Sequence, residues 1–328
     1  MRIERRNVIY ELENDPAGWN CRCYYTGSCL EFPGSYPASF GIPLTGVASI
    51  RTLYIRTGCR QIGGGNQLVN ESIEGEAAVL TDAETGKLLI GKNKDLRLYP
   101  ASTTKIVTAL VALEKGGLQD PVTVGDEVRL TTKGESTAGL REGQTLTLRD
   151  LIVAMMLPSG NGAARTVARY IAEKDSGRKL SAQKSIDYFA GLMNAKAPKL
   201  GAKRSHFTNP HGLHDPGHYT TAGDMALLSR EAMKNKVFSS IVGEPKQAVA
   251  ASSGSLTYVN RNQLPQEESE FYVQGVNGVK TGFTDEAGYC LVSSATLNGK
   301  KFIGVVLHSS SGGVYTDTRS LLEYAKNR

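Results

Sequence analysis

Ser102-Thr-Thr-Lys105 sets a hydroxyl and an amine three residues apart. On a helix that spacing puts both side chains on one face, so the Lys105 amine can reach the Ser102 oxygen. A serine hydroxyl is a poor nucleophile until a base takes its proton, and a neutral lysine is such a base. Ser102 also opens its helix, where free N–H groups and the helix dipole favour a developing anion. Alone, the spacing says little. Ser176-x-x-Lys179 and Ser181-x-x-Lys184 share it and read as solvated surface. A serine at a helix start is ordinarily a plain cap. Ser102 differs because Tyr99-Pro100 precedes it and an apolar, core-bound helix follows.

Two further elements change its weight. Ser159-Gly-Asn161 follows Leu157-Pro158, where a helix end turns sharply into a loop that can aim a hydroxyl and an amide into a cleft. Lys280-Thr-Gly282 is the only such tripeptide in the chain, within Val276-Asn-Gly-Val-Lys-Thr-Gly-Phe283. It reads as a short strand whose Gly282 lets a ligand backbone approach closely. Taken singly, these are a polar turn and a turn lysine. In the order serine-lysine, serine-asparagine, lysine-threonine-glycine they are specific.

Three other groupings are set aside. His211, His214, Asp215 and His218 cluster, but Gly212, Pro216 and Gly217 break any helix that would align them on a metal. Glu231-x-x-x-Asn235 lies in an ordinary helix pattern and reads as a solvated face. Thr85-Gly-Lys87 is a hairpin turn without the glycines of a phosphate loop.

The elements that must position these residues are legible from Glu74 onward. Ala77-Ala-Val-Leu-Thr-Asp82 and Lys87-Leu-Leu-Ile-Gly91 flank a turn and predict a hairpin. Ala101 to Lys115 predicts a helix ended by Gly116-Gly117. Thr147-x-x-Asp150 starts an apolar helix through Met156, closed by Pro158. Helices are expected over 162–173, 186–199 and 225–234, and a last one over 316–326. Gly288–Leu297 and Lys301–Ser309 around Asn298-Gly299 give the strongest hairpin signal. Helices in the middle with strands at both ends imply an α/β (α+β) domain. In it, one antiparallel sheet drawn from both ends is flanked by helices, with a helical subdomain.

The chain has 328 residues, 40% apolar and 21% charged, as in a soluble globular protein. The net charge of +6 comes without a basic block, which argues against nucleic acid. No run approaches the ~18 apolar residues of a transmembrane helix. Residues 1–86 contain no lysine, and all nineteen lie from Lys87 onward. Residues 1–73 are read as a poorly specified extension with no helical or strand period, ahead of a domain at 74–328. No secretory leader is apparent at Met1, and 1–73 is expected to stand in its place. Cys21, Cys23, Cys29 and Cys59 fall in that extension, and Cys290 reads as a buried small hydrophobe.

The three motifs in this order resemble the penicillin-recognising serine enzymes. Leu98-Tyr-Pro-Ala-Ser-Thr-Thr-Lys105, Thr208-Asn-Pro-His-Gly-Leu213, His218-Tyr-Thr-Thr-Ala-Gly-Asp-Met225 and Lys280-Thr-Gly-Phe-Thr-Asp-Glu-Ala-Gly-Tyr289 narrow the resemblance to the low-molecular-mass D-Ala-D-Ala carboxypeptidases. The resemblance spans about residues 76–326. It implies a β-lactamase/DD-peptidase-like fold and removal of the terminal D-alanine from peptidoglycan stem peptides through an acyl-enzyme on Ser102. The implied roles are Lys105 as base, Ser159 as proton carrier to the leaving group, and Asn161 as holder of the acyl amide. Lys280 and Thr281 would bind the substrate carboxylate, and Lys280 would help keep Lys105 neutral by like-charge repulsion. The N–H groups of Ser102 and Phe283 would form the oxyanion hole beside Gly282. Partners would be the stem peptide and inhibitory β-lactams, with no cofactor, metal or nucleic acid, and the enzyme would act outside the cytoplasm. A DD-endopeptidase, a β-lactamase and a non-catalytic wall-binding homologue are the alternatives. The sequence departs from the family at Gly162, where an acid is usual, and at Phe283. It also lacks an arginine in Gly312-Gly-Val-Tyr-Thr-Asp317, with Arg319 nearby.

Overall fold

The computed structural model describes residues 72–327, together with the backbone of 2–5, 8–15 and 18–25. The chain divides into two compact units, Met1–Arg60 and Gln61–Arg328. In the first, β1 (Arg2–Arg5), β2 (Val8–Asp15) and β3 (Gly18–Tyr25) form an antiparallel sheet in the order β1-β2-β3. The register sets Tyr10 opposite Cys23, Leu12 opposite Cys21 and Glu11 opposite Arg22. Apolar and polar residues alternate over 10–13 in β2 and 19–23 in β3, a short strand period that the sequence reading overlooked among the arginines and cysteines. Cys29 and Cys59 lie outside the described residues.

The second unit is built on a five-stranded antiparallel sheet in the order β10-β11-β12-β4-β5. Its strands are β4 (Ala77–Asp82), β5 (Leu88–Lys92), β10 (Val276–Thr284), β11 (Gly288–Leu297) and β12 (Lys300–Ser309). The two ends of the domain therefore meet in one sheet, as expected. Alternation in sequence becomes two faces in space. Ala77, Val79, Ile303, Val305 and Leu307 join the larger core, while Ala78, Leu80, Phe302 and Val306 join the smaller one. The smaller core is covered by α7 (Gly313–Lys326) through Val314, Leu321, Leu322 and Ala325. Ile73 is already buried there, at 3% exposure.

On the other face lie the helices of the middle segment. They are α1 (Lys105–Lys115), α2 (Leu148–Met156), α3 (Asn161–Ser176), α4 (Ala182–Lys199), α5 (Ala222–Lys234) and α6 (Lys236–Gly243). Every residue of α1 from Lys105 to Ala112 is buried, the pattern of a helix surrounded by others. Thr147 caps α2, its hydroxyl accepting from the Asp150 N–H at 3.1 Å. Two small two-stranded sheets were not expected: β6 (Pro121–Thr123) with β7 (Thr145–Thr147), and the hairpin β8 (Lys246–Ala251) with β9 (Gly254–Val259). The three-residue strands β6 and β7 are too short to show a period. Among the described residues, no helix is long and apolar enough to cross a membrane.

Candidate active site

Ala101–Thr104 forms a 3-10 turn, and the α-helix starts only at Lys105. This corrects the expected α-helical start, and it brings the pair closer. In 3-10 geometry residues three apart eclipse, and Lys105 Nζ lies 2.8 Å from Ser102 Oγ. The same nitrogen is 2.7 Å from Asn161 Oδ1 and 2.8 Å from the His211 carbonyl oxygen. The last two neighbours only accept hydrogen bonds. A neutral amine has two N–H groups for them and one lone pair left, facing the Ser102 hydroxyl. Burial pushes Lys105 well below the usual lysine range, and the nearby Lys280 charge adds to it. Arg165 and Arg261 act in the same sense, while Glu135 opposes them. The repulsion expected from Lys280 is present, but loss of water is the larger cause.

The loop Thr208–Leu213 supplies the third partner. Gly212 has φ of +86°, and a Cβ there would sit 1.8 Å from the Ala101 carbonyl oxygen. Only glycine fits, and its absence of side chain brings the His211 carbonyl onto Lys105. The clustered histidines separate into different tasks. His218 is buried between Thr104 Oγ1, at 2.8 Å, and the Thr208 N–H, at 3.0 Å, and burial lowers its pKa to about 3. His214 packs edge-on against Tyr99. Glu231 pairs with Lys234 on an exposed helix face.

Ser159 and Asn161 arrive from the α2–α3 junction. Pro158 ends α2, and Ser159 adopts φ of +65°, a left-handed conformation costly for a non-glycine residue. Asn161 opens α3, its N–H donating to the Ser136 carbonyl at 2.9 Å. Ser159 is buried, and among the described residues its hydroxyl has no hydrogen-bond partner.

β10 forms the opposite wall. Its Gly282 approaches the nucleophile turn so closely that a Cβ would lie 3.0 Å from the Ser102 nitrogen. The glycine thus admits the turn itself, where sequence reasoning expected it to admit a ligand. Ser102, Ser159, Asn161, Thr281, Gly282 and Phe283 line one open cleft of about 1290 Å³. Phe283 is exposed and packs on Tyr289, ring centroids 4.5 Å apart. Lys280 does not line the cleft. It is 2% exposed, donates to the Thr281 carbonyl at 3.0 Å, and burial followed by the Arg261 charge lowers its pKa to about 7.

Three charged residues of this site were missed in the sequence: Arg261, Glu135 and Arg165. Arg261 lines the cleft and donates to Ser136 Oγ at 2.7 Å. Glu135 and Arg165 form a buried pair beside Asn161. No spacing marks them, because each comes from a different segment. Arg319 turns elsewhere, donating to the Glu270 carbonyl at 3.0 Å.

The chain is 35% identical over 246 residues to the D-alanyl-D-alanine carboxypeptidase DacF of Bacillus subtilis, covering 73% of this chain and 58% of the relative. It is 34% identical over 244 residues to DacA of Escherichia coli, covering 72% and 56%. It therefore spans little more than half the length of these relatives. The crystal structure of the Streptomyces K15 DD-transpeptidase superposes with a TM-score of 0.71 at 31% identity, covering 78% of this chain and 98% of that one. Since residues 65–311 also match the profile described as D-alanyl-D-alanine carboxypeptidase, peptidase S11, the chain belongs to that family.

Proposed function

We propose that the protein is a serine D-Ala-D-Ala carboxypeptidase of peptidoglycan stem peptides, acting outside the cytoplasm where that substrate lies. One observation carries the reading: the buried Lys105 nitrogen has two acceptors and the Ser102 hydroxyl as its neighbours. Ser102 Oγ attacks the carbonyl between the terminal D-alanines while Lys105 takes its proton. The Ser102 and Phe283 N–H groups hold the oxyanion, a contribution of about 3 kcal/mol per donor. The C–N bond breaks, and the leaving D-alanine nitrogen receives a proton through Ser159. Water then attacks the ester and frees Ser102. Asn161 holds the acyl amide. Thr281 and Arg261 meet the terminal carboxylate in the cleft, with the Lys280 charge behind them.

A β-lactam would acylate Ser102 in the same way and leave slowly. The test is release of D-alanine from a stem pentapeptide, compared with Ser102→Ala. The reading expects release by the wild type alone. Release that persists in Ser102→Ala would refute it, and so would none from the wild type. Faster cleavage of cross-linked dimers than of pentapeptide would make it an endopeptidase.

A further inference from the structure

Glu135 is a buried carboxylate at the edge of the cleft to which the reaction above gives no task. Its side chain is 8% exposed and that of Arg165 is 2% exposed. Arg165, one turn along α3 from Asn161, donates Nη1 to Glu135 Oε1 at 2.8 Å and Nη2 to Oε2 at 2.6 Å. Asn161 Nδ2 points at the same carboxylate, 3.4 Å from Oε2, while Asn161 Oδ1 faces Lys105. The segment is pinned on both sides of Glu135. Upstream, Glu127 accepts from Thr166 Oγ1 at 2.8 Å and Arg169 Nη1 at 2.6 Å. Downstream, the Ser136 carbonyl receives the Asn161 N–H.

We propose that Glu135, clamped by Arg165, is a positioning residue for acylation, fixing the sense of the Asn161 amide so that the Lys105 lone pair stays on Ser102. The inference rests on the Ser102–Lys105 reading above. A carboxylate only accepts hydrogen bonds, so it selects the amide NH2 end and leaves the oxygen for Lys105. The flipped amide would set oxygen against carboxylate and would offer an N–H to the lone pair that Ser102 needs. Arg165 has a second task. Burial alone would push Glu135 upward, but the Arg165 hydrogen bonds and charge hold it below the usual carboxylate range. A carboxylate without Arg165 would favour the Lys105 ammonium, which cannot act as a base. The charged groups acting most on Lys105 are Lys280 from β10, Glu135, Arg165 from α3 and Arg261 after β9, and Glu135 alone is acidic. His211, whose carbonyl meets Lys105, is buried and held neutral.

The experiment follows acylation of the full chain by a fluorescent penicillin against pH, for wild type, Glu135→Gln, Arg165→Gln and the double variant. Label stoichiometry and a thermal melt accompany each profile. Glu135→Gln can present either end of its amide to Asn161, so acylation slows by about ten- to hundredfold. Its alkaline-rising limb moves about one pH unit lower, because the acid that acts most on Lys105 is gone. Arg165→Gln moves that limb higher, and the double variant returns it toward wild type. An unmoved limb in Glu135→Gln at full label stoichiometry overturns the positioning role, as does a slowing explained wholly by fewer active molecules. A wild type that takes no label on Ser102 refutes the carboxypeptidase reading itself, and this inference with it.

Discussion

Replacing Gly212 by alanine isolates the contact between the histidine loop and the nucleophile turn. The backbone at 212 has φ of +86°, so any L side chain there costs about 1–2 kcal/mol in conformation alone. The added Cβ would also lie 1.8 Å from the Ala101 carbonyl oxygen, 2.4 Å from its carbon and 2.8 Å from Thr104 Oγ1. Loop and turn must part by about 1.5 Å to reach ordinary contact, an overpacking cost of about 1–3 kcal/mol. The total is about 2–5 kcal/mol. Gly177→Ala is the control, since φ there is +66° and nothing lies within 4 Å. It should cost only the conformational part, about 1–2 kcal/mol. The displaced loop also carries the His211 carbonyl away from Lys105, and misplacement on that scale costs about a hundredfold in rate. Urea unfolding followed by circular dichroism reads the first effect, and acylation per active molecule reads the second. If Gly212→Ala matches Gly177→Ala in stability and acylates within about twofold of wild type, the loop does not hold Lys105 as described.

Three further outcomes follow from the buried charges. Lys280 has a folded pKa of about 7, well below the unfolded value near 10.4. Between those values the unfolded chain holds more protons, so stability should rise as pH climbs through this window, and Lys280→Met should flatten the rise. Below pH 7 Lys280 is charged. KM for the pentapeptide should therefore increase above pH 7, and Arg261→Gln, which removes a charge that depresses Lys280, should move that inflection upward. Asp317 is 3% exposed and accepts from the Glu74 and Gly75 N–H groups at 2.8 Å each and from Ser309 Oγ at 2.9 Å. Asp317→Ala should cost about 2–4 kcal/mol in a denaturant titration while leaving the acylation rate per folded molecule intact.

The legible parts were those written in local patterns. The β-rich runs at 77–82, 288–297 and 301–309 foretold strands of the central sheet, and Asn298-Gly299 foretold the turn between the last two. The three motifs were legible by residue type and order. What held them together was not. Lys105 owes its lone pair to a backbone carbonyl at His211, which no side-chain pattern announces, and to an Asn161 amide turned by Glu135. These contacts join segments 106 and 56 residues apart, and the Glu135 contact spans 26. Gly282 was recognised as a close-approach residue, but only the fold reveals that the approaching atoms belong to the nucleophile turn. The alternation in 10–13 and 19–23 was present and passed over, because charged and cysteine residues masked it.

The central claim is that Ser102 is the acylated nucleophile and Lys105 its base. Intact-protein mass spectrometry after treatment with benzylpenicillin, followed by peptide mapping, tests it directly. The account predicts one penicilloyl adduct per chain, mapped to Ser102, absent in Ser102→Ala and formed at least about a hundredfold more slowly in Lys105→Ala. An adduct that persists in Ser102→Ala, or a wild-type chain that stays unmodified, would contradict it.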